Sequence, residues 1–163
     1  MRQPVRSDWD WANQLNPQVV SILKANAMHL LDVRIADAEA DLKRATDFVV
    51  TVIGGDVAVR IRRQRCTFRD WTVRARRDTG ADTELAKLQA GYARWYLYCW
   101  QGATGSIGEW ILIDLDEVRR QGILAEPRRL IDNYDGTYFV AIPATELCAR
   151  GLLVAHAVSV IAA

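Results

Sequence analysis

Two runs of β-branched residues meet at a pair of glycines in the stretch DFVVTVIGGDVAVRIRR, residues 47–63. β-Branched side chains favour strands, and glycine adopts the positive φ angles that a tight hairpin turn needs. The stretch therefore predicts a β-hairpin that turns at Gly54-Gly55. Side chains alternate along a strand, so the second strand points Val57, Val59 and Ile61 to one side and Ala58, Arg60 and Arg62 to the other.

Further helices and strands surround this hairpin in the sequence. In HLLDVRIADAEADLKRATDFVV, apolar residues recur at steps of four and three and predict one helical face: Leu31, Ile35, Ala38, Leu42 and Ala45. TFRDWTVRAR alternates apolar and charged residues and predicts a third strand. A helix follows in DTGADTELAKLQAGYAR, and WYLYCW predicts an aromatic strand. The predicted order over residues 30–100 is α-β-β-β-α-β.

The remaining residues, 105–163, form a predicted C-terminal extension in the order β-α-β-α. EWILIDL is its first strand, DEVRRQG a helix ended by Gly122, TYFVAI a second strand, and the last helix begins at Pro143 and stops at Gly151. A chain of 163 residues is about one domain long. We therefore expect residues 1–163 to form a single mixed α/β domain, with a central mixed sheet flanked by helices.

Arginines are concentrated around the second and third strands. The chain has 21 Lys and Arg against 20 Asp and Glu, yet residues 57–77 alone contain eight arginines. A guanidinium group stays charged and directs two donors at one phosphate. We define Arg60, Arg62, Arg74 and Arg76 as the basic patch, which predicts contact with nucleic-acid phosphates. The alternative is a solvated charged face, partly neutralised by acids such as Asp37 or Asp41.

The order α-β-β-β-α-β, with an Asp before a strand and a following strand of alternating apolar and charged residues, resembles the PD-(D/E)XK nucleases, in particular archaeal-type Holliday junction resolvases. The resemblance implies a restriction-endonuclease-like core in which Asp47 matches the first metal-binding acid. Arg60-Ile61-Arg62 then lies where the family has an acidic-x-Lys pair, so the second acid and the lysine are both replaced. An alternative register takes Asp56 as the first acid and Asp70-Trp71-Thr72 as the pair, which keeps two acids but loses the lysine.

A neighbouring helix offers replacements for the missing groups. Glu84 and Lys87 are three residues apart and share a helical face. Asp47 and Glu84 would then hold Mg²⁺ or Mn²⁺, with Lys87 completing the catalytic set and Arg60 or Arg62 on the phosphate. The alternative is that Glu84 only fills the first turn of its helix, where a carboxylate is favourable, and that Lys87 is solvated.

Two functions remain open from the sequence. The first is a metal-dependent DNA nuclease or junction resolvase that acts on duplex or branched DNA. The second is a nuclease-fold protein that has lost the metal site and acts as a DNA-binding or assembly module. Arg60 distinguishes them, because a guanidinium group at the metal site repels a divalent cation. The chain is also similar to small phage-encoded proteins of unassigned function, a similarity that implies no activity.

Other features concern compartment and assembly. Three scattered cysteines and the absence of a signal peptide favour a cytoplasmic protein with reduced thiols. The apolar C-terminal stretch GLLVAHAVSVIAA is too short to span a membrane, which predicts a packed edge or a docking surface. The aromatic strand 95–100 and this tail present more apolar surface than one small domain covers. We therefore expect a homodimer through one of them.

Overall fold

The computed structural model describes residues 6–26, 30–35, 48–52, 55–63 and 66–161. The helices are α1 (Arg6–Gln14), α2 (Asn16–Asn26), α3 (Glu84–Gln89), α4 (Leu115–Arg120) and α5 (Ala144–Ala149). The strands are β1 (Leu30–Ile35), β2 (Phe48–Val52), β3 (Gly55–Arg62), β4 (Asp70–Arg77), β5 (Trp95–Gln101), β6 (Ile107–Asp114), β7 (Ile131–Asp132), β8 (Thr137–Pro143) and β9 (Leu153–Ala157). Two 3₁₀ turns cover Ile123–Ala125 and Ser159–Ile161.

The strands form two sheets. The main sheet has six strands in the order β1-β2-β3-β5-β6-β9, and the second sheet has three in the order β4-β8-β7. In the main sheet β3 and β5 run parallel, while its other described pairs are antiparallel. A parallel pair needs a crossover connection, and the segment that contains β4 and α3 provides it. The expected mixed α/β fold with a mixed sheet is therefore confirmed.

The predicted hairpin is confirmed at the level of its strands. β2 pairs antiparallel with β3, and Val52 lies opposite Gly55. Gly55 has a φ of +139°, and a Cβ atom there would lie 2.7 Å from the Cβ of Arg94. The start of β3 thus packs so closely against the residue before β5 that it has no room for a side chain.

Two predictions about the elements are wrong. Residues 30–35 form strand β1, not the beginning of a helix, while Ala38, Leu42 and Ala45 lie outside the described residues. The third predicted strand exists as β4, but it does not join the main sheet, because its hydrogen-bonding partner is β8. The arginines of β3 and β4 therefore belong to two different sheets rather than to one continuous surface.

One face of the main sheet is covered by α1 and α2, which the sequence analysis did not predict. Leu15, Val19 and Leu23 pack there against β3 residues Val57 and Val59. Leu97 and Cys99 of β5 join the same cluster, and both are fully buried. The helices that precede residue 30 thus complete the interior on this side.

The opposite face of the main sheet packs against the second sheet and helices α3, α4 and α5. Tyr96, Tyr98 and Trp100 point to this side, where Tyr96 meets Trp71 of β4 edge to face at 5.7 Å between ring centres. From Tyr96 to Trp100 the aromatic strand is at most 1% exposed. Both faces of residues 96–100 are covered within one chain, so the apolar surface expected of this strand is largely buried, and a homodimer stays a prediction.

The C-terminal extension follows the predicted order, with β6, α4, β8 and α5 in sequence. Gly122 and Gly151 follow their helices with φ angles of +70° and +68°, which only glycine adopts readily. The apolar tail contributes β9 at the edge of the main sheet, beside β6. Leu152 and Val158 are buried there but Val154 is 50% exposed, so the tail packs in part and its use as a docking surface stays a prediction. In the described part of the chain, no helix is long and apolar enough to cross a membrane.

Candidate functional site

Glu84 is the centre of the polar interior. It is the first residue of α3, and the hydroxyl of Thr83 caps that helix by accepting the amide N–H of Ala86 at 3.2 Å. Leu88 lies one turn further on the same helical face and is buried in the core, so the helix turns Glu84 inward as well. Of the described residues, Glu84 is the one charged residue that is buried, with 2% of its surface exposed.

Three groups contact the carboxylate of Glu84. The Tyr96 hydroxyl donates to Oε1 at 2.5 Å, and the backbone amide of Arg74 donates to Oε2 at 3.1 Å. Nη2 of Arg60 lies 3.6 Å from Oε2. Burial and the negative charge of Glu84 raise the pKa of Tyr96 well above its usual value, so the phenol stays protonated and keeps donating. A buried carboxylate is tolerated only with partners of this kind.

Arg60 and Arg62 extend from β3 on the side of the sheet that faces β4. The Arg60 side chain is 22% exposed, and Arg62 is half-buried. Next to them the hydroxyls of Tyr98 and Thr72 are hydrogen-bonded at 2.5 Å. Burial raises the pKa of Tyr98, and the positive charges of Arg62 and Arg60 act in the opposite direction. The polar side of β3 and β5 thus meets the polar side of β4 at the rim of the interior.

Charges of both signs act on Arg74. Burial lowers the pKa of this guanidinium, and the charges of Arg60 and Arg77 lower it further. Glu84 and Asp135 oppose that effect without reversing it. Arg74 thus lies among charges of both signs, from Arg60 and Arg77 on one side of the balance and from Glu84 and Asp135 on the other.

Neither a protein family, nor a curated protein, nor a solved structure matches this chain.

The predicted basic patch is only partly assembled. Arg60 contacts Glu84 with its guanidinium group and Arg74 contacts it with its backbone amide, while the charge of Arg62 acts on Tyr98, so we call Arg60, Arg62 and Arg74 the arginine site. Arg76 is exposed, and its guanidinium stacks on the ring of Tyr138 at 3.7 Å from the ring centre. A β-bulge between Arg74 and Arg76 changes the alternation of β4 and separates the two arginines.

The predicted metal-binding residues are not brought together in the part of the chain that the structure describes. Asp47 lies outside it, and Lys87 is half-buried on α3, one turn from Glu84. In the alternative register, Asp56 is on β3 and Asp70 begins β4, so the two acids stand on separate sheets. The described residues contain no group of three histidine, cysteine or acidic side chains that could hold a metal ion.

Two polar residues of the site were missed by sequence reasoning. Tyr96 was interpreted only as part of an aromatic strand, and Thr72 as a residue of the third predicted strand that stands where the alternative register has lost its lysine. Both supply hydroxyl groups to the buried hydrogen bonds around Glu84 and Tyr98. A signal for Tyr96 exists, because a buried tyrosine hydroxyl usually needs a polar partner.

Proposed function

We propose that this chain binds nucleic acid through the arginine site, on a nuclease-like core whose metal site has been replaced by guanidinium groups. The observation that carries the proposal is the contact of Arg60 with the buried carboxylate of Glu84. In a metal-dependent site this carboxylate would be available to a cation. Here a permanent positive charge already stands beside it.

The order of elements in the main sheet supports a nuclease-like core. The chain runs α2, β1, β2, β3, β4, α3 and β5, so it has the order α-β-β-β-α-β when β4, which lies in the second sheet, is set aside and α2 takes the place of the helix expected after residue 30. In this assignment β1 and β2 form the first two strands, and β3 carries Arg60-Ile61-Arg62. In the PD-(D/E)XK nucleases, which this chain resembles, the corresponding strand carries the acidic-x-Lys pair.

Charge favours phosphate over a divalent cation at the arginine site. A cation at Glu84 would lie within a few ångströms of the Arg60 guanidinium, and such repulsion is strong where water is largely excluded. A phosphodiester group, in contrast, accepts hydrogen bonds from the partly exposed guanidinium groups of Arg60, Arg62 and Arg74. The neutral Tyr98 and Thr72 hydroxyls add no charge that would oppose it.

One observation favours metal-dependent cleavage as a second candidate. Glu84 points into the interior beside β3 rather than outward from the first turn of α3. A carboxylate that had migrated from the strand to the helix would occupy such a position. In that function Asp47 and Glu84 hold Mg²⁺ or Mn²⁺ and Lys87 assists cleavage of DNA.

Binding is tested by fluorescence anisotropy with labelled single-stranded, duplex and branched DNA between 50 and 200 mM salt. We expect the affinity to fall with salt by ~0.9 logarithmic units per logarithmic unit of salt for each phosphate neutralised. Arg62→Ala and Arg74→Ala should each weaken binding and flatten this slope. Arg129→Ala, which changes an exposed arginine outside the site, is the matched control. Absence of binding to all three DNAs at 50 mM salt overturns the proposal.

Calorimetry with Mg²⁺ and Mn²⁺, with and without DNA, separates the two candidate functions. The proposed function expects no saturable cation binding and no nicking of DNA in Mn²⁺. Saturable binding of the cation, with cleavage that is lost in Asp47→Asn and Glu84→Gln, would establish the nuclease instead. Loss of cleavage in Lys87→Ala with retained cation binding would then assign the role of the lysine.

A further inference from the structure

The turn between β7 and β8 carries an exposed aromatic side chain. Tyr134 is 93% exposed, the largest exposure among the large hydrophobic side chains that the structure describes. Its φ is +58°, a left-handed conformation that non-glycine residues adopt at a cost. Tyr134 is therefore exposed at a position where glycine, asparagine or aspartate would adopt the backbone conformation at lower cost.

Hydrogen bonds fix this turn. The amide of Tyr134 donates to Oδ1 of Asp132 at 2.7 Å, and the amide of Asn133 donates to the carbonyl of Thr137 at 3.0 Å. Thr137 in turn donates its amide to Oδ1 of Asp135 at 3.1 Å. The backbone beneath the Tyr134 ring is thus ordered in advance, which lowers the entropic cost of binding to the ring.

The turn lies at the end of β4, the strand that carries Arg74. The amide of Asp78, directly after β4, donates to the carbonyl of Gly136 at 2.9 Å and ties the turn to the end of that strand. Asp135 is close enough to Arg74 for its charge to influence the guanidinium. Tyr134 therefore belongs to a turn that is tied to the end of β4, the strand that carries Arg74.

We propose that Tyr134 stacks on an unpaired base of the nucleic acid whose phosphates contact Arg62 and Arg74, so that the preferred ligand is single-stranded. This inference rests on the proposed function and specifies its ligand. In a duplex both faces of each internal base are already stacked, whereas an unpaired base offers its face to an aromatic ring.

The acids around Tyr134 favour the base over the backbone. Asp132 and Asp135 flank the ring in sequence, and both are exposed. Their carboxylates repel phosphate oxygens and direct the backbone towards the arginines. A base carries no such charge and is accepted by the ring.

The test compares single-stranded and duplex DNA of the same sequence, with 2-aminopurine in the single strand to report stacking. We expect wild type to bind the single strand more tightly and to quench the 2-aminopurine signal. Tyr134→Ala should lose the quenching and weaken single-strand binding about fivefold or more, while Tyr134→Trp retains both. Tyr92→Ala, at another exposed tyrosine, is the matched control and should behave as wild type.

Three results would overturn the inference. Equal single-strand affinity of Tyr134→Ala and wild type excludes stacking, and duplex binding as tight as single-strand binding excludes the preference. Either result leaves the proposed function standing, since the arginine site would still bind phosphates. Absence of binding to every DNA overturns both proposals together.

Discussion

A single buried carboxylate organises the candidate site. Glu84 contacts a side chain of β5, a backbone amide of β4 and a guanidinium of β3. It thereby connects the main sheet to the second sheet through helix α3. The orientation of Arg60 and the position of Arg74 both depend on it.

Removal of this carboxylate should therefore cost stability. In Glu84→Ala the Tyr96 hydroxyl and the Arg74 amide lose their acceptor, and Arg60 loses its opposite charge. We expect unfolding to become easier by about 3 kcal/mol or more, measured as the free energy of unfolding in urea. Glu84→Gln retains one acceptor oxygen and should lose less.

Glu117→Ala is the control for this experiment. Glu117 pairs with Arg120 at the surface of α4, where water replaces a lost ion pair at little cost. A loss for Glu84→Ala no larger than that for Glu117→Ala would contradict the role assigned to Glu84.

At the residue scale, the sequence indicated that Glu84 and the arginines belong to the candidate site, but it did not indicate that Glu84 is buried. The spacing of Glu84 and Lys87 correctly gave a shared helical turn, and both alternatives placed the glutamate in the first turn of the helix. Glu84 is buried because it shares a helical face with Leu88, which packs into the core. A helical pattern in the sequence shows which residues share a face, but it does not show which sheet that face packs against. The separation of Arg76 from Arg74 was not predicted for a similar reason. It results from a β-bulge, which the alternation of β4 does not indicate.

At the scale of elements, the close contact between β3 and Arg94 makes a specific demand on Gly55. A side chain there meets Cβ of Arg94 at 2.7 Å, and the positive φ adds strain. Gly55→Ala should lower the free energy of unfolding by about 1–3 kcal/mol for the steric overlap alone. Urea denaturation measures the change.

Gly80→Ala separates the effect of the steric overlap at Gly55 from the effect of a positive φ angle. Gly80 has a φ of +71°, but no atom lies within 4 Å of the position of its Cβ. Only conformational strain is expected there, so Gly80→Ala should be the milder change. Equal effects of the two substitutions would show that the contact with Arg94 relaxes freely.

The elements were predicted best where one periodicity was unambiguous. Strands β3 and β4 alternate, β2 is rich in β-branched residues, and all three were identified correctly. Residues 30–35 contain both signals, since Leu31 and Ile35 are four apart while Leu31, Val33 and Ile35 also alternate with Asp32 and Arg34. The helical spacing was preferred, although the five alternating residues 31–35 are long enough for a strand.

At the scale of the whole molecule, the second sheet was the feature that the sequence did not reveal. β4 pairs with β8, so that Asp70 lies opposite Pro143 and Arg77 opposite Thr137. Both strands were predicted individually. Which strands pair depends on packing and burial between residues that are distant in sequence. The pattern within one strand therefore does not identify its partner.

The whole molecule is also held together across its two sheets by Glu109 of β6. Its carboxylate accepts a hydrogen bond from Arg69, in the segment before β4, and from the amide and hydroxyl of Ser159 at 2.9 and 2.8 Å. Burial alone raises the pKa of Glu109, but the hydrogen bonds from Ser159 and Arg69 outweigh it and hold the pKa below its usual value of 4.5. One side chain thus joins the main sheet, the approach to the second sheet and the C-terminal turn.

This lowered pKa gives a pH dependence of definite sign. A carboxyl group whose pKa is depressed by folding stabilises the folded state above its unfolded pKa, and the contribution is lost as the pH falls through the folded pKa. Glu109→Gln should therefore unfold at lower urea than wild type at pH 7, and the difference should shrink below about pH 4.5. Asp82→Asn, which changes an exposed carboxylate before α3, is the control. It should unfold at the same urea concentration as wild type, both at pH 7 and below about pH 4.5. A difference between Glu109→Gln and wild type that stays constant from pH 7 to pH 3 would contradict the ionic role of Glu109, because a purely steric loss does not depend on pH.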